Sequence, residues 1–238
     1  MLSVIIPVYN EERFLGQLVT RVFAVPCEKQ VILVDDCSTD ATPQIIAQLQ
    51  QKFGDGLLTL RHEKNRGKGA AIRTGLAAVQ GDIVIIQDAD LEYHPEDYPP
   101  ALHLIQNGWA DAVYGSRFMG PHRVFLYWHY AANKFLTWLV NVAANTILSD
   151  METGFKMFRT EVLKSLDIHS FKFDFEVEVT IKLFRLRYRV YEMPITYTGR
   201  GYEEGKKITW KDGVHALYAI AKWSLLYHPK PAPPKRAV

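Results

Sequence analysis

Four apolar residues in a row, Ile83-Val84-Ile85-Ile86, run straight into Gln87-Asp88-Ala89-Asp90-Leu91-Glu92. A mostly β-branched run without polar alternation has no face to give to water, so it belongs inside a parallel sheet covered on both sides. If the chain stays extended past Ile86, Asp88 and Asp90 project to the same side and Glu92 continues the row. Hard oxygen donors so placed suit Mg2+ or Mn2+, which keep sites open for water and phosphate oxygens. An Asp-x-Asp also arises by chance in a polar turn, here one leading to a helix near Pro95, and the stretch alone leaves both readings open.

The same pattern recurs on either side. Ser3 to Val8 reads as a strand ending in Pro7-Val8-Tyr9-Asn10-Glu11, with Asn10 capping a helix whose apolar face is Phe14, Leu15, Leu18 and Val22. Val31 to Val34 ends in Asp35-Asp36-Cys37-Ser38-Thr39-Asp40, after which Thr42 as cap and Pro43 at the first helical position open a helix to about Phe53. Leu57 to Arg61 leads through Asn65-Arg66-Gly67-Lys68-Gly69 into an alanine-rich helix, and a helix from Pro95 to Asn107 precedes the strand Ala112 to Gly115. This alternation predicts an α/β chain with right-handed crossovers and a mainly parallel sheet. Ligands of such sheets sit beyond the carboxyl ends of the strands, where Asp35, Asp36, Asp88 and Asp90 all fall. Like charges gathered there repel unless a cation or hydrogen-bond donors offset them.

Gly67-Lys68-Gly69 does not complete a dinucleotide fingerprint, because the third glycine would fall at Ile72, and no Walker sequence occurs. A glycine turn at a helix N-terminus can approach a phosphate or ribose. A tight turn that needs backbone freedom explains it equally well.

From Val124 to Leu148 the apolar residues cover most of a helical surface, aromatics crowding among them (Phe125, Tyr127, Trp128, Tyr130, Phe135, Trp138). His129, Asn133, Thr137, Asn141 and Asn145 recur every fourth residue as a narrow polar stripe. Either this is a core helix, or it lies on a membrane surface or an apolar partner. An acidic turn from Asp150 feeds a short strand, a helix contains Phe173, Phe175 and Glu176, and Val190 to Tyr197 is a further strand. The glycine-broken loop from Arg200 to Lys207 precedes a helix from Asp212 to Tyr227, and 228–238 reads as a disordered tail.

A length of 238 residues suits one sizeable domain, and a net charge of +2 without a basic helix gives no nucleic-acid footprint. Cys27 and Cys37 lack metal-ligand spacing and argue against a disulfide framework, which fits a reducing cytoplasm. A first strand at Leu2 leaves no room for a signal peptide, and no apolar run reaches the roughly 18 residues of a membrane span.

Taken in order, Pro7-Val8-Tyr9-Asn10-Glu11, Asp35-Asp36-x-Ser38-Thr39-Asp40, Asn65-x-Gly67-x-Gly69-x-Ala71, Asp88-Ala89-Asp90-Leu91, Gly115-Ser116-Arg117, Asp150 with Thr153-Gly154-Phe155, and Arg200 with Lys206 span nearly the whole chain. This set resembles the family 2 glycosyltransferases with a GT-A fold, and within them the dolichyl- and polyprenyl-phosphate hexose synthases. The resemblance implies a GT-A (nucleotide-diphospho-sugar transferase) domain over 1–227, with a nucleotide-sugar half at 1–117 and an acceptor half at 118–227. It implies that Pro7, Tyr9, Glu11, Asp35 and Asp36 hold the nucleoside, with Gly67 and Lys68 at the same donor. Asp88 and Asp90, with Glu92 as a third ligand, would bind Mg2+ or Mn2+ against the diphosphate. Arg117 would meet an acceptor phosphate, with Arg123 or Lys134 as helper, and Arg200 and Lys206 would close over the donor.

The activity implied is inverting, metal-dependent transfer of a hexose from UDP-glucose or GDP-mannose to a lipid phosphate, by a protein peripheral to the cytoplasmic face of a membrane. Developing charge on the leaving diphosphate needs the cations this set supplies. A soluble hydroxyl acceptor and a non-catalytic nucleotide-sugar module are the alternatives. Asp150 lies where a catalytic base is expected. A hydroxyl nucleophile needs one, whereas a phosphate monoester is already mostly dianionic at neutral pH, and Asp150 would then orient a cation or the sugar.

Overall fold

The computed structural model describes residues 1–124, 126–171, 174–199 and 210–227. The expectations placed on Phe125, Phe173, Arg200, Lys206 and the 228–238 tail fall outside them. The strands are β1 (Leu2–Val8), β2 (Lys29–Asp35), β3 (Leu57–Arg61), β4 (Ile83–Ile86), β5 (Ala112–Ser116), β6 (Lys156–Arg159) and β7 (Val190–Pro194). Between them run helices α1 (Leu15–Ala24), α2 (Thr42–Phe53), α3 (Lys68–Ala77), α4 (Tyr98–Gln106), α5 (Tyr127–Ala144), α6 (Thr160–Ser165) and α7 (Phe175–Arg185), and α8 (Trp210–Leu226) follows β7.

One sheet holds all seven strands in the order β3-β2-β1-β4-β6-β5-β7. β1 pairs in parallel with β2 and β4, β2 with β3, and β5 with β7. β6 alone runs against its neighbours, β4 and β5. The mainly parallel sheet is therefore as expected. The reversal of β6 has no counterpart in the residue pattern, because Lys156–Arg159 is too short to carry a period.

Apolar residues of one strand divide between two cores. Ile5, Ile32 and Ile86 join the cluster under α3 and α7, while Val4, Ile6, Leu33 and Ile85 join the one under α1 and α4. Both faces are covered, which is why these strands do not alternate, and each fully buried Val or Ile contributes about 1.5–3 kcal/mol.

Two helix caps differ from expectation. α1 begins only at Leu15, without a side-chain cap. Asn10 instead adopts φ 53°, and its Oδ1 accepts the Thr39 N–H at 2.9 Å. Thr42 does not cap α2 either, because its hydroxyl accepts the Glu11 N–H at 3.0 Å. In both cases a partner on the neighbouring strand's loop takes the group that local geometry would have used.

α5 resolves the choice left open for the second half, and it does so against burial of its aromatics. Trp128 is 79% exposed and Trp138 57%, with Tyr127, Phe135 and Val142 also in solvent. The middle of the polar stripe faces inward, while Asn145 at its end is exposed. Thr137 is buried and accepts the Met151 N–H at 3.2 Å, Asn141 bonds both the N–H and the carbonyl of Leu148, and the Lys134 ammonium donates to the Ser149 carbonyl at 3.0 Å. Thr137 and Asn141 of the stripe, with Lys134 beside them, thus give partners to backbone groups of Leu148, Ser149 and Met151. Exposed apolar residues continue on α8 at Val214, Leu217, Tyr218, Leu225 and Leu226. No helix among the described residues is long and apolar enough to cross a membrane.

Candidate functional site

β1 lies between β2 and β4, so three loops leave the sheet side by side. The first two are laced together, the Asn10 N–H donating to Ser38 Oγ at 3.0 Å and Thr39 bonding back to Asn10. Pro7 and Glu11 are half-buried on this rim and Tyr9 is exposed.

The two aspartates of the second loop divide their work. Asp36 is committed to the protein: Oδ1 lies 2.6 Å from His62 Nδ1 and accepts the Arg66 N–H at 2.8 Å, and Oδ2 accepts the Gly67 N–H at 2.7 Å. His62 Nε2 in turn lies 2.8 Å from Thr74 Oγ1. Asp36, expected to meet the nucleoside, thus has both oxygens bonded to the protein and holds the 66–67 turn. Asp35, also buried, accepts the Ser38 N–H through Oδ1. Its Oδ2 has no hydrogen-bond partner among the described residues, with Arg61 Nε 3.3 Å away as an ion pair.

Gly67 explains its own identity. At φ 90° and ψ 163° it occupies a region essentially reserved for glycine. The turn aims Lys68 inward, where its ammonium bridges Asp88 Oδ1 at 2.8 Å and Glu176 Oε1 at 2.9 Å. Burial works against that charge, and the two carboxylates more than offset it, holding the Lys68 pKa up.

Asp88 and Asp90 leave β4 as expected, but the row of three acids does not form. The chain already turns at Ala89 and Asp90, and Leu91, at φ 60°, turns Glu92 toward Tyr197, whose hydroxyl donates to Oε2 at 2.7 Å. No group of three His, Cys, Asp or Glu among the described residues could hold a metal. Asp88 and Asp90 as a pair fit a Mg2+ or Mn2+ that draws its other ligands from phosphate and water. Gly154 closes in from the other side: a Cβ there would stand 2.3 Å from Asp88 Oδ2, and its N–H donates to Tyr93 at 2.7 Å.

Arg117 follows β5 and meets Asp150 in a bidentate pair. Nε donates to Oδ2 and Nη2 to Oδ1, each at 2.7 Å, and the Arg117 backbone N–H adds a bond to Oδ2 at 3.0 Å. Asp150 is 0% exposed. Burial disfavours the guanidinium charge, but Asp150 outweighs it, so Arg117 stays cationic. Glu192 on β7 accepts the N–H groups of Ser149 and Asp150 and fixes the turn that carries the carboxylate. Lys134 lies over the Phe118 ring, and Arg123 donates to the Gly199 carbonyl at 3.3 Å.

Tyr93 joins the two halves of the site. Burial raises its pKa first of all, and the charges of Arg117, Asp150 and Asp88 all reach it. Beneath lie Glu152, held up by burial and then by the charge of Glu176, and Lys156, pulled down by burial. Sequence reading singled out neither Glu152, Lys156, Tyr93 nor Glu192 as a functional residue. Glu152 sits within the Asp150 to Phe155 stretch and carried that one signal.

The family model "Glycosyl transferase family 2" matches residues 3–167. A dolichol-phosphate mannosyltransferase of Pyrococcus furiosus is 29% identical over 230 residues, covering 93% of this chain and 64% of that protein. An undecaprenyl-phosphate 4-deoxy-4-formamido-L-arabinose transferase of Edwardsiella ictaluri is 28% identical, covering 86% of this chain and 62% of its own. The chain therefore spans less than two thirds of either relative. Among solved structures, glucosyl-3-phosphoglycerate synthase of Mycobacterium tuberculosis, in complex with Mn2+, UDP and phosphoglyceric acid, superposes with a TM-score of 0.74 at 18% identity, over 96% of this chain and 80% of that one. That likeness establishes the GT-A fold.

Proposed function

The chain belongs to glycosyl transferase family 2, and from that membership and its rim chemistry we propose that it transfers a hexose from a nucleotide sugar to a polyprenyl or dolichyl phosphate at a membrane surface. UDP-glucose or GDP-mannose is the donor, and the transfer inverts the anomeric carbon. The relatives named for dolichol-phosphate and undecaprenyl-phosphate support the acceptor class. The neighbour held with Mn2+ and UDP supports the donor class.

The observation that carries the acceptor assignment is the state of Asp150. Both its oxygens are bonded to Arg117 and the side chain is buried, which leaves it poorly placed to take a proton from an incoming hydroxyl. A phosphate monoester with a second pKa of about 6 brings no proton that must be removed. What it needs is a fixed planar cation, and a buried carboxylate that orients Arg117 supplies one.

Asp88 and Asp90 would hold Mg2+ or Mn2+, which when bound offsets the charge growing on the leaving diphosphate. Lys68 keeps Asp88 in register from behind. Asp35 Oδ2 and Tyr9 offer the nucleoside an acceptor and an aromatic surface on the β1–β2 rim. Arg200 and Lys206, outside the described residues, complete the donor's cationic partners in this reading. The outward aromatic face of α5 offers apolar area to a membrane from which a lipid phosphate would arrive.

The test is transfer of labelled hexose from UDP-glucose or GDP-mannose to a short polyprenyl phosphate with Mn2+ or Mg2+. A chloroform-soluble product that disappears with chelator is expected. Transfer to soluble hydroxyl acceptors alone would overturn the acceptor assignment.

A further inference from the structure

Glu176 shares Lys68 with Asp88, Glu152 lies within reach of the charge of Glu176, and each acid keeps a buried carboxylate oxygen without a hydrogen-bond partner among the described residues. Glu176, 4% exposed, gives Oε1 to Lys68 at 2.9 Å, while Oε2 meets no hydrogen-bond donor among the described residues. Oε1 of Glu152 is likewise buried and unmet. An unsatisfied buried acceptor costs a fold more than an ordinary hydrogen bond returns, and such groups in native proteins call for a specific explanation. Burial first, and then the nearby charge of Glu176, raises the pKa of Glu152, so the two acids also repel each other.

The chemistry of the neighbourhood selects the missing partner. A further cation is not needed, because Lys68 already bridges Glu176 and Asp88, and the Lys156 ammonium lies within electrostatic reach while donating to the carbonyls of Met151 and Thr153. Two carboxylates repel an anion. What fits is an uncharged group rich in O–H donors. Glu176 is only one ammonium away from Asp88 and its charge reaches Glu152, so a donor whose diphosphate meets Asp88 and Asp90 would bring its sugar toward these two acids.

We propose that Glu152 Oε1 and Glu176 Oε2 accept hydroxyl groups of the transferred hexose and thereby select which sugar is moved. The assignment rests on the nucleotide-sugar reading given above and names the part of that site which reads the sugar. Glycosyl donors that differ only in one hydroxyl are otherwise hard to tell apart, whereas a site that hydrogen-bonds the hydroxyl rejects a donor lacking it, because a buried acceptor is then left bare.

The experiment compares the wild type, Glu152→Met and Glu176→Gln. Methionine removes the acceptor at similar length, and glutamine keeps an oxygen for Lys68. Each is assayed for Mn2+-dependent transfer or hydrolysis with UDP-glucose or GDP-mannose and with the monodeoxy analogues of that sugar. Thermal stabilisation by UDP and GDP alone is measured in parallel. In the wild type, loss of one hydroxyl is expected to lower kcat/KM roughly 10- to 100-fold. The variant lacking that hydroxyl's partner should show almost no further loss, while nucleoside diphosphate alone still stabilises it as it does the wild type.

Additive losses in both variants, or equal weakening of the nucleoside diphosphate, overturn the subsite and leave the enzyme reading standing. Failure of every nucleotide sugar to be bound or turned over by the wild type overturns both. If Glu176→Gln does not fold, Glu152→Met carries the comparison, since the oxygen it removes has no hydrogen-bond partner among the described residues.

Discussion

Arg117 and Asp150, 33 residues apart, face each other at 2.7 Å through both guanidinium and carboxylate edges, and the carboxylate is wholly buried. A buried pair of this kind is costly to break from one side, because the surviving charge is left without a partner.

The two halves of that pair therefore separate by activity. Asp150→Asn keeps a hydrogen-bonding oxygen for Arg117 and is expected to retain turnover within about 10-fold, since a phosphate acceptor asks for no general base worth 100-fold or more. Arg117→Ala should lose nearly all turnover and about 3–5 kcal/mol of stability by stranding Asp150. Turnover with polyprenyl phosphate at saturating donor and denaturant unfolding of both proteins decide it. A dead, folded Asp150→Asn beside an active Arg117→Ala would point to a hydroxyl acceptor.

Asp88 and Asp90 are predicted to differ in side effects. Either alanine variant should lose Mn2+-dependent stabilisation by UDP or GDP, because one carboxylate is a poor anchor for the ion. Asp88→Ala also takes a partner from Lys68 and should melt lower than Asp90→Ala. Undiminished metal-dependent nucleotide binding in Asp90→Ala would remove it from the ligand set.

On α5, Trp128, Phe135 and Trp138 are exposed, so replacing all three with Ser should change stability by no more than about 0.5 kcal/mol each. Binding to vesicles containing anionic lipid should fall sharply, because apolar area is what a single amphipathic helix contributes at an interface. Thr137→Val is the opposite case. It leaves the Met151 N–H unmet and should cost about 1–3 kcal/mol with vesicle binding intact. Vesicle sedimentation and melting curves of the two proteins test this, and unfolding of the triple variant would refute it.

Stability of the ligand-free protein should depend on pH through Glu152. Burial, then Glu176, hold its carboxyl above the ordinary 4.5, with Asp150 adding and Lys156 and Arg117 opposing. A raised carboxyl pKa means the folded chain binds the proton more tightly than the unfolded one. Its stabilising contribution is then full below about 4.5 and is lost as the pH rises through the folded value. Glu152→Gln should flatten the fall in Tm between acid and neutral pH. Parallel Tm curves for wild type and variant would rule the assignment out.

Gly67→Ala forces a β-carbon into the glycine-only backbone region and should cost about 1–3 kcal/mol, weakening nucleotide binding as the bond to Asp36 is distorted. Nucleotide affinity equal to wild type would show that the turn relaxes without consequence.

Much of this was legible along the chain. Apolar runs without alternation placed Ile83 to Ile86 and Val31 to Val34 inside a two-faced sheet, and the turns after them placed four aspartates on one rim, because strand period and burial are local properties. Other decisions needed the folded molecule. A wide apolar arc with a narrow polar stripe has the same period whichever side faces in, and on α5 Thr137, Asn141 and the neighbouring Lys134 turn inward where the 148–151 backbone meets them. Asp35 and Asp36 look equivalent in sequence, yet one is consumed by His62, Arg66 and Gly67, which approach it from another loop. Glu92 left the acidic row because a left-handed Leu91 turned it toward Tyr197, more than a hundred residues on. Hydrogen bonds and charge pairs between distant segments decide such outcomes, and their partners meet only when the sheet brings its loops to one edge.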